Sequence, residues 1–142
     1  MREIKFRAWD KDKNAFLDLD WDDYYIDMST GEVYEIEERS ANYMTYMHKR
    51  YLSQVILMQY TGLKDKNGKD IYEGDIVSVP EDEFEEAYTG SIKWSDEGGY
   101  FHFEVFNNIG VKTDDLFVGS YSQDCEVIGN IYENPDLLEV KA

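Results

Sequence analysis

Turn-forming residues recur at short intervals along this chain, and that spacing limits the fold to one built from short strands. From Ile71 onward, four or five β-rich runs are separated by glycines or polar turns, a pattern typical of small antiparallel barrels. Short strands can bury one face if their sheet curls on itself, with glycines such as Gly74, Gly90 and Gly129 at the bends. The sequence therefore predicts a mainly β fold with little helix and an SH3-like small barrel in the C-terminal half.

The N-terminal third is predicted to be a β meander. The segment EIKFRAW has the period-two alternation of a half-buried strand. Its two predicted faces are Ile4, Phe6 and Ala8 against Lys5, Arg7 and Trp9. Two further β-rich runs, YYIDM and EVYEIE, flank the turn formers Ser29, Thr30 and Gly31, which predicts a hairpin.

Residues 38–52 give conflicting signals. Met44, Met47 and Tyr51 lie at helical spacing, whereas the Tyr and Thr content favours extended chain. We interpret this segment as a short helix or an irregular excursion.

The length of 142 residues fits one domain with a buried core. Within residues 1–142 we expect an N-terminal β-rich segment, 1–60, and the barrel, 71–133. Apolar residues make up 42% of the chain and aromatic residues 15%, which is more apolar surface than a disordered chain carries.

The net charge of −17 excludes several classes of partner. Such a field repels phosphate backbones and anionic membrane surfaces, so we expect no direct nucleic-acid binding and no membrane association. The N-terminus MREIKFRAWD has no apolar signal-peptide core, and no run approaches a membrane span. A cytoplasmic protein is expected.

Metal and cofactor motifs are weak throughout. Asp10 to Asn14 begins like an EF-hand calcium loop, but Ala15 and Trp21 stand where that loop needs Gly and a bidentate Glu. His48, His102 and Cys125 are too few and too scattered to predict a zinc site, and no phosphate-binding Gly-rich loop occurs. We expect no metal, no cofactor and no catalytic residue, with Cys125 a buried thiol and His102 a surface or edge residue.

The most patterned stretch, Leu57 to Val77, is interpreted as a scaffold. Residues 65–70 are expected to be an exposed turn, so that replacing Asp65 or Asp70 with Asn would change stability by less than about 0.5 kcal/mol. Tyr72, Ile76 and Val77 are expected to anchor the first strand of the barrel.

Two acidic clusters form the candidate interaction surface. The first lies in DLDWDDYYID and the second in EDEFEE. Their carboxylates belong to Asp18, Asp20, Asp22, Asp23, Asp27, Glu81, Asp82, Glu83, Glu85 and Glu86. Regularly displayed carboxylates can imitate the phosphate charge of DNA, whereas separate acidic loops serve only solubility. We expect separate loops.

Three segments resemble a known family. IKFRAWD, MQYTGLKDKNGKDIYEGDIV and EVIGNIYENPDLL occur in the order found in the YopX family of phage and prophage proteins. Residues 10–57 and 80–124 match nothing specific. The resemblance implies a phage or prophage origin, a largely β fold with an SH3-like barrel portion, and no assigned activity.

The expected function is that of a phage or prophage accessory protein that acts through protein contacts and self-association. The many Tyr, Met and Trp side chains are typical of interfaces, and soluble bacterial proteins are commonly symmetric homo-oligomers. The expected partners are a second copy and an unknown host or phage protein, in the cytoplasm of the bacterial host. Two alternatives remain: an acidic DNA mimic that inhibits a host DNA-binding enzyme, and a metal-assisted hydrolase using carboxylates with His48 or His102.

Overall fold

A computed structural model describes residues 3–19, 23–81, 87–105, 116–117 and 124–138 of the chain. They form a mainly β protein with almost no helix, which confirms the coarse fold prediction. The strands in chain order are β1 (Phe6–Asp10), β2 (Ala15–Phe16), β3 (Tyr24–Ile26), β4 (Val33–Ala41), β5 (Met44–Tyr51), β6 (Val55–Lys64), β7 (Asp70–Tyr72), β8 (Asp75–Val79), β9 (Tyr88–Ser95), β10 (Tyr100–Val105), β11 (Leu116–Phe117) and β12 (Glu126–Asn130). A 3₁₀ helix, Pro135–Leu138, follows β12. The described residues contain no helix with the length and apolar character of a membrane span.

Hydrogen bonds join these strands into three sheets, with the orders β2-β1-β6-β7, β3-β4-β5 and β11-β10-β9-β8-β12. The chain divides into two compact units: unit 1 contains Met1–Lys5 and Gln59–Ala142, and unit 2 contains Phe6–Met58. Unit 1 is therefore discontinuous in sequence. Its two pieces are hydrogen-bonded to each other, because the Tyr60 amide donates to the Lys5 carbonyl at 2.9 Å.

In unit 2, β1 is covered on both faces. Ala8 and Trp9 are both buried, and the Trp9 ring meets Phe16 edge-on with 4.9 Å between centroids. Ile4, by contrast, is 65% exposed. The predicted division of EIKFRAW into a buried and an exposed face is therefore wrong, because an enclosed strand does not alternate.

The hairpin predicted around Ser29 to Gly31 is confirmed, since β3 pairs antiparallel with β4 and Tyr25 lies opposite Tyr34. The helix or irregular excursion predicted for residues 38–52 is wrong. This segment holds the end of β4 and all of β5, paired without a register shift. Asn42 and Tyr43 have φ angles of 51° and 64°, so they form the two-residue turn with both central residues left-handed that matches the twist of a hairpin.

In unit 1, β8, β9 and β10 are successive antiparallel neighbours, and β12 returns to pair with β8. One face of this sheet carries the core. Its buried members are Ile71, Val77, Val79, Ile92, Phe103, Cys125 and Val127. The predicted burial of Cys125 is confirmed, and burial raises the pKa of its thiol to about 11.

Two glycines in this sheet stand where a side chain would not fit. A Cβ at Gly90 would collide with the Glu104 carbonyl and the Phe103 ring on the neighbouring strand. Gly129 lies at the register shift of β12, where a Cβ would meet the side chain of Asn134. Both are positions at which the sequence predicts bends.

The stretch from Leu57 to Val77 covers the end of β6, then β7 and the start of β8. Ile76 and Val77 are buried as predicted, on opposite faces of β8. Tyr72 is half-buried, with its ring 5.5 Å from that of Tyr60.

Asp65 contradicts the prediction of an exposed turn over residues 65–70, because it is only 6% exposed. Its Oδ1 accepts the amides of Asn67 and Lys69, and its Oδ2 accepts the amide of Val127, each at 2.9 Å. Burial acts to raise the pKa of Asp65, but these three N–H donors outweigh it and hold the pKa below its ordinary value. The carboxylate thus joins the turn to β12.

Candidate interaction surface

Apolar side chains are unusually exposed on the β3-β4-β5 sheet of unit 2. Among the described residues, eight of the fourteen large hydrophobic side chains that are exposed lie between Tyr25 and Tyr51. Every β5 side chain is exposed except that of His48, which is half-buried. We call this region, from Tyr24 to Tyr51, the hairpin sheet. An exposed surface this apolar is typical of an interaction site.

One face of the hairpin sheet is aromatic. The strand register places Tyr25, Tyr34 and Tyr51 side by side on β3, β4 and β5. Their ring centroids are 5.5 Å apart for Tyr25 and Tyr34 and 5.4 Å apart for Tyr34 and Tyr51. The Lys49 ammonium lies 4.9 Å from the Tyr34 ring centroid, and Met47, farther along the same face, is 70% exposed. We call this side the aromatic face.

The carboxylate of Asp27 fixes one end of the aromatic face. Its Oδ1 accepts the Ser29 hydroxyl at 2.6 Å and the Ser29 amide at 3.0 Å, and its Oδ2 accepts the Tyr51 hydroxyl at 2.8 Å. The hydrogen bonds from Ser29, followed by that from Tyr51, lower the pKa of Asp27 to about 2. In return, the hydrogen bond to Asp27 raises the pKa of Tyr51. The turn after β3 is therefore attached to the last residue of β5.

The opposite face of the hairpin sheet carries charge. Arg50 pairs with Glu35 and also with Glu37, whose Oε1 is 2.9 Å from the Arg50 Nε. Arg39 lies 3.1 Å from the other oxygen of Glu37. The arginines are exposed and the two glutamates only half-buried, so the network contributes little to stability. The two arginines of this face are nevertheless paired with glutamates on the same face.

The outer edge of β5 is open in the described part of the chain, because β5 is the last strand of its sheet. Natural edge strands are usually protected by proline, a bulge, short length or charged side chains, above all lysine. The eight residues of β5 contain no proline, and their register with β4 is unbroken. Lys49 and Arg50 protect only the second half of β5, so the stretch from Met44 to Met47 has none of these features. The hairpin sheet therefore offers an apolar face and a free strand edge together.

The tip of the hairpin carries an unexpected side chain. Tyr43 is fully exposed and has a positive φ, a conformation in which glycine is favoured over any residue with a Cβ. A tyrosine there costs stability within the chain itself.

The predicted acidic surface is described only in part. Asp18, Asp23 and Glu81 are exposed, whereas the carboxylate of Asp27 is engaged in its own turn. The remaining members, Asp20, Asp22, Asp82, Glu83, Glu85 and Glu86, lie outside the described residues. The first cluster belongs to unit 2 and the second to unit 1.

The described residues contain no group of three or more His, Cys, Asp or Glu side chains that could hold a metal ion. Asp10 is buried, and its Oδ1 accepts the amides of Asp12 and Lys13 at 2.9 and 3.0 Å, which is the geometry of a polar turn.

His102 is only 8% exposed, so its prediction as a surface or edge histidine is wrong. It alternates with Phe101 and Phe103 as predicted, but the second face of β10 is covered too, since its neighbour Glu104 is also buried. Glu104 is paired with Lys93 on β9.

Sequence reasoning missed the open edge of β5. Apolar and polar side chains alternate where one face of a strand is buried. Because β5 is exposed on both faces, NYMTYMHKRY lacks this period-two signal. The available signal was the turn former Asn42, placed between two runs of β-favouring residues.

Comparison with known proteins matches nearly the whole chain to one family. The family model described as YopX protein matches residues 5–139. The SPbeta prophage-derived uncharacterized protein YopX of Bacillus subtilis strain 168 is 39% identical over 74 residues, covering 51% of this chain and 52% of that protein. This alignment therefore spans about half the length of the curated relative.

Two solved structures are similar over the full length. Protein EF1440 from Enterococcus faecalis is 28% identical with a TM-score of 0.58, and protein yopX from Bacillus subtilis is 26% identical with a TM-score of 0.56. Each comparison covers 98% of this chain and 100% of the other.

Proposed function

This chain belongs to the YopX family, and from that premise we propose that it is a phage or prophage accessory protein that acts through protein contacts and self-association. The observation that carries the proposal is the hairpin sheet, whose apolar side chains and free edge are exposed together. Tyr and Met side chains of this kind are enriched at the centres of protein interfaces.

The contacts inside the hairpin sheet support an interaction role over a catalytic one. The Asp27 carboxylate and the Glu35, Glu37 and Arg50 side chains are used to hold strands together. Among the groups that the sheet exposes to another molecule are aromatic rings, thioethers and the backbone groups of its open edge. These bind proteins through packing and strand pairing.

Light scattering coupled to gel filtration tests self-association. We expect a mass of at least two chains, each 16.7 kDa, at micromolar concentration. A mass of one chain across that range would remove the self-association part of the proposal.

We also propose that the five-stranded sheet of unit 1 is an SH3-like barrel. The strand order supports this, because four strands follow one another and the fifth returns beside the first. In a flat sheet, β10 and β12 would lie three strands apart, about 14 Å, yet Phe103 and Val127 belong to the same buried cluster. Nuclear Overhauser effects between the Phe103 ring and the Val127 methyls are expected, and their absence would contradict a curled sheet.

A further inference from the structure

We propose that the free edge of β5 pairs antiparallel with β5 of a second copy, with Met47 at the two-fold axis. The inference rests on the self-association proposed above and specifies its geometry. The result would be a six-stranded sheet, with both aromatic faces on the same side.

The hairpin turn determines which backbone groups of β5 point outward. In a two-residue turn, the closing residue Met44 directs its N–H and C=O towards the facing strand. The same alternation holds at the other end of β5, where the Leu52 amide also points towards β4 and donates to the Val33 carbonyl at 2.8 Å. Residues 45, 47, 49 and 51 therefore direct their backbone groups to the open edge.

This alternation of inward- and outward-pointing backbone groups restricts how two copies can pair. Hydrogen-bonded partners across an antiparallel two-fold axis must both come from the outward set. With Met47 on the axis, Thr45 lies opposite Lys49 of the second copy and residues 44–50 are all paired. With His48 on the axis, residues 45–51 are paired instead, an overlap of the same length.

Charge separates these two arrangements. The first half of β5, Met44 to Met47, is uncharged, whereas Lys49 and Arg50 carry its positive charge. An axis at Met47 places each charged half against an uncharged half, with the two Lys49 residues offset by about 13 Å along the strands. An axis at His48 reduces that offset to about 7 Å and places the two imidazoles directly opposite each other. The Met47 axis therefore keeps like charges farthest apart at full overlap.

The same register gives a reason for the strained Tyr43. It places Tyr43 of the second copy opposite Tyr51, at the end of the row formed by Tyr25, Tyr34 and Tyr51. Cross-strand aromatic pairs stabilise sheets. The conformational cost at the tip would be offset by this contact.

Cysteine cross-linking tests the register in the full chain. Hydrogen-bonded antiparallel partners have Cα atoms about 5.5 Å apart, within the range of a disulfide. Under mild oxidation we expect Met47→Cys to form a disulfide-linked dimer. Thr45→Cys and Lys49→Cys should not do so singly but should cross-link when mixed. The wild-type protein is the negative control and should form no disulfide-linked dimer, because its lone Cys125 is buried in unit 1. Cross-linking in a mixture of Met47→Cys and Lys49→Cys, without a Met47→Cys homodimer, would overturn the Met47 axis.

Matched lysine substitutions separate edge pairing from packing of the aromatic faces. Met47→Lys would place two lysines opposite each other on the axis, so we expect the oligomer to dissociate at least tenfold more readily. Ser40→Lys adds the same charge to the same face but on β4, where it lies opposite the uncharged Thr45 and away from the open edge, and it should leave association within about twofold of wild type. An oligomer that survives Met47→Lys and gives no disulfide at residue 47 would overturn edge pairing while leaving self-association intact. A monomeric wild-type protein would overturn both.

Discussion

Asp65 provides the sharpest test of how unit 1 is held together. Its carboxylate accepts three backbone N–H groups, of which the amide of Val127 belongs to a buried residue while Asn67 and Lys69 lie in an exposed turn. Water can replace the carboxylate at the turn, but not easily at Val127. Loss of the hydrogen bond to the buried Val127 amide therefore determines most of the free-energy cost of replacing Asp65.

For Asp65→Asn we expect a loss of about 2 kcal/mol in the free energy of unfolding. The asparagine side chain retains one acceptor oxygen. If that oxygen accepts the amides of the turn, the NH₂ group of the asparagine faces the N–H of Val127. That buried donor then has no acceptor, which costs about 1–3 kcal/mol. Asp65→Ala, which removes every acceptor, should cost about 3 kcal/mol.

Urea unfolding followed by tryptophan fluorescence measures both variants. For a denaturant slope near 2 kcal/mol/M, the Asn variant should lower the midpoint by about 1 M. Asp12→Asn is the matched control, because it makes the same change at an exposed turn residue, and it should stay within about 0.5 kcal/mol of wild type. An Asp65→Asn variant as stable as this control would refute the reasoning.

The pH dependence gives an independent check. Because the folded pKa of Asp65 lies below its ordinary value of 3.8, the stabilisation is complete above that value and is lost as the pH falls through the folded pKa. The stability difference between wild type and Asp65→Asn should therefore be constant near neutral pH and shrink below about pH 4. A difference that grows on acidification would contradict the assigned direction of the shift.

Three further changes test other parts of the fold. Ile76→Asp places an unpaired carboxylate at a fully buried position, so it should cost about 3 kcal/mol or more, and circular dichroism melting would show it. Tyr43→Gly relieves a positive φ at the hairpin tip and should raise the unfolding free energy of the monomeric protein by about 1 kcal/mol in urea titration. Asp27→Asn removes the carboxylate that accepts the Tyr51 hydroxyl, so the pKa of Tyr51 should fall towards 10.0 in an NMR titration, and an unchanged value would exclude that hydrogen bond.

Features encoded locally could be predicted from the sequence. The turn at Ser29 to Gly31 follows from short-range conformational preferences, and it lies where β3 and β4 are joined. Gly129 was likewise predicted at a bend, because a glycine within a strand pattern marks a bulge or a close backbone approach.

Features that depend on distant partners could not be predicted. Asp65 has the local sequence of a solvated turn, and its burial results from Val127, 62 residues later. His102 alternates correctly, but the covering of its face is a tertiary property. The open edge of β5 could not be predicted because β5 buries almost nothing. Its sequence therefore carries no burial pattern, and only its pairing with β4 defines it as a strand.

The discontinuity of unit 1 has a consequence for how the protein is made. Lys5 leaves the ribosome before unit 2, but its hydrogen-bonded neighbour Tyr60 is synthesised only after all of unit 2. At about 5–20 residues per second, that interval is roughly 3–10 s, whereas hairpins form in about 1–10 μs. Unit 2, contiguous in sequence, can therefore complete its hairpin sheet while Lys5 of unit 1 still lacks its hydrogen-bond partner. On a messenger carrying several ribosomes, the open edges of β5 would thus be presented to neighbouring nascent chains before any of them is finished.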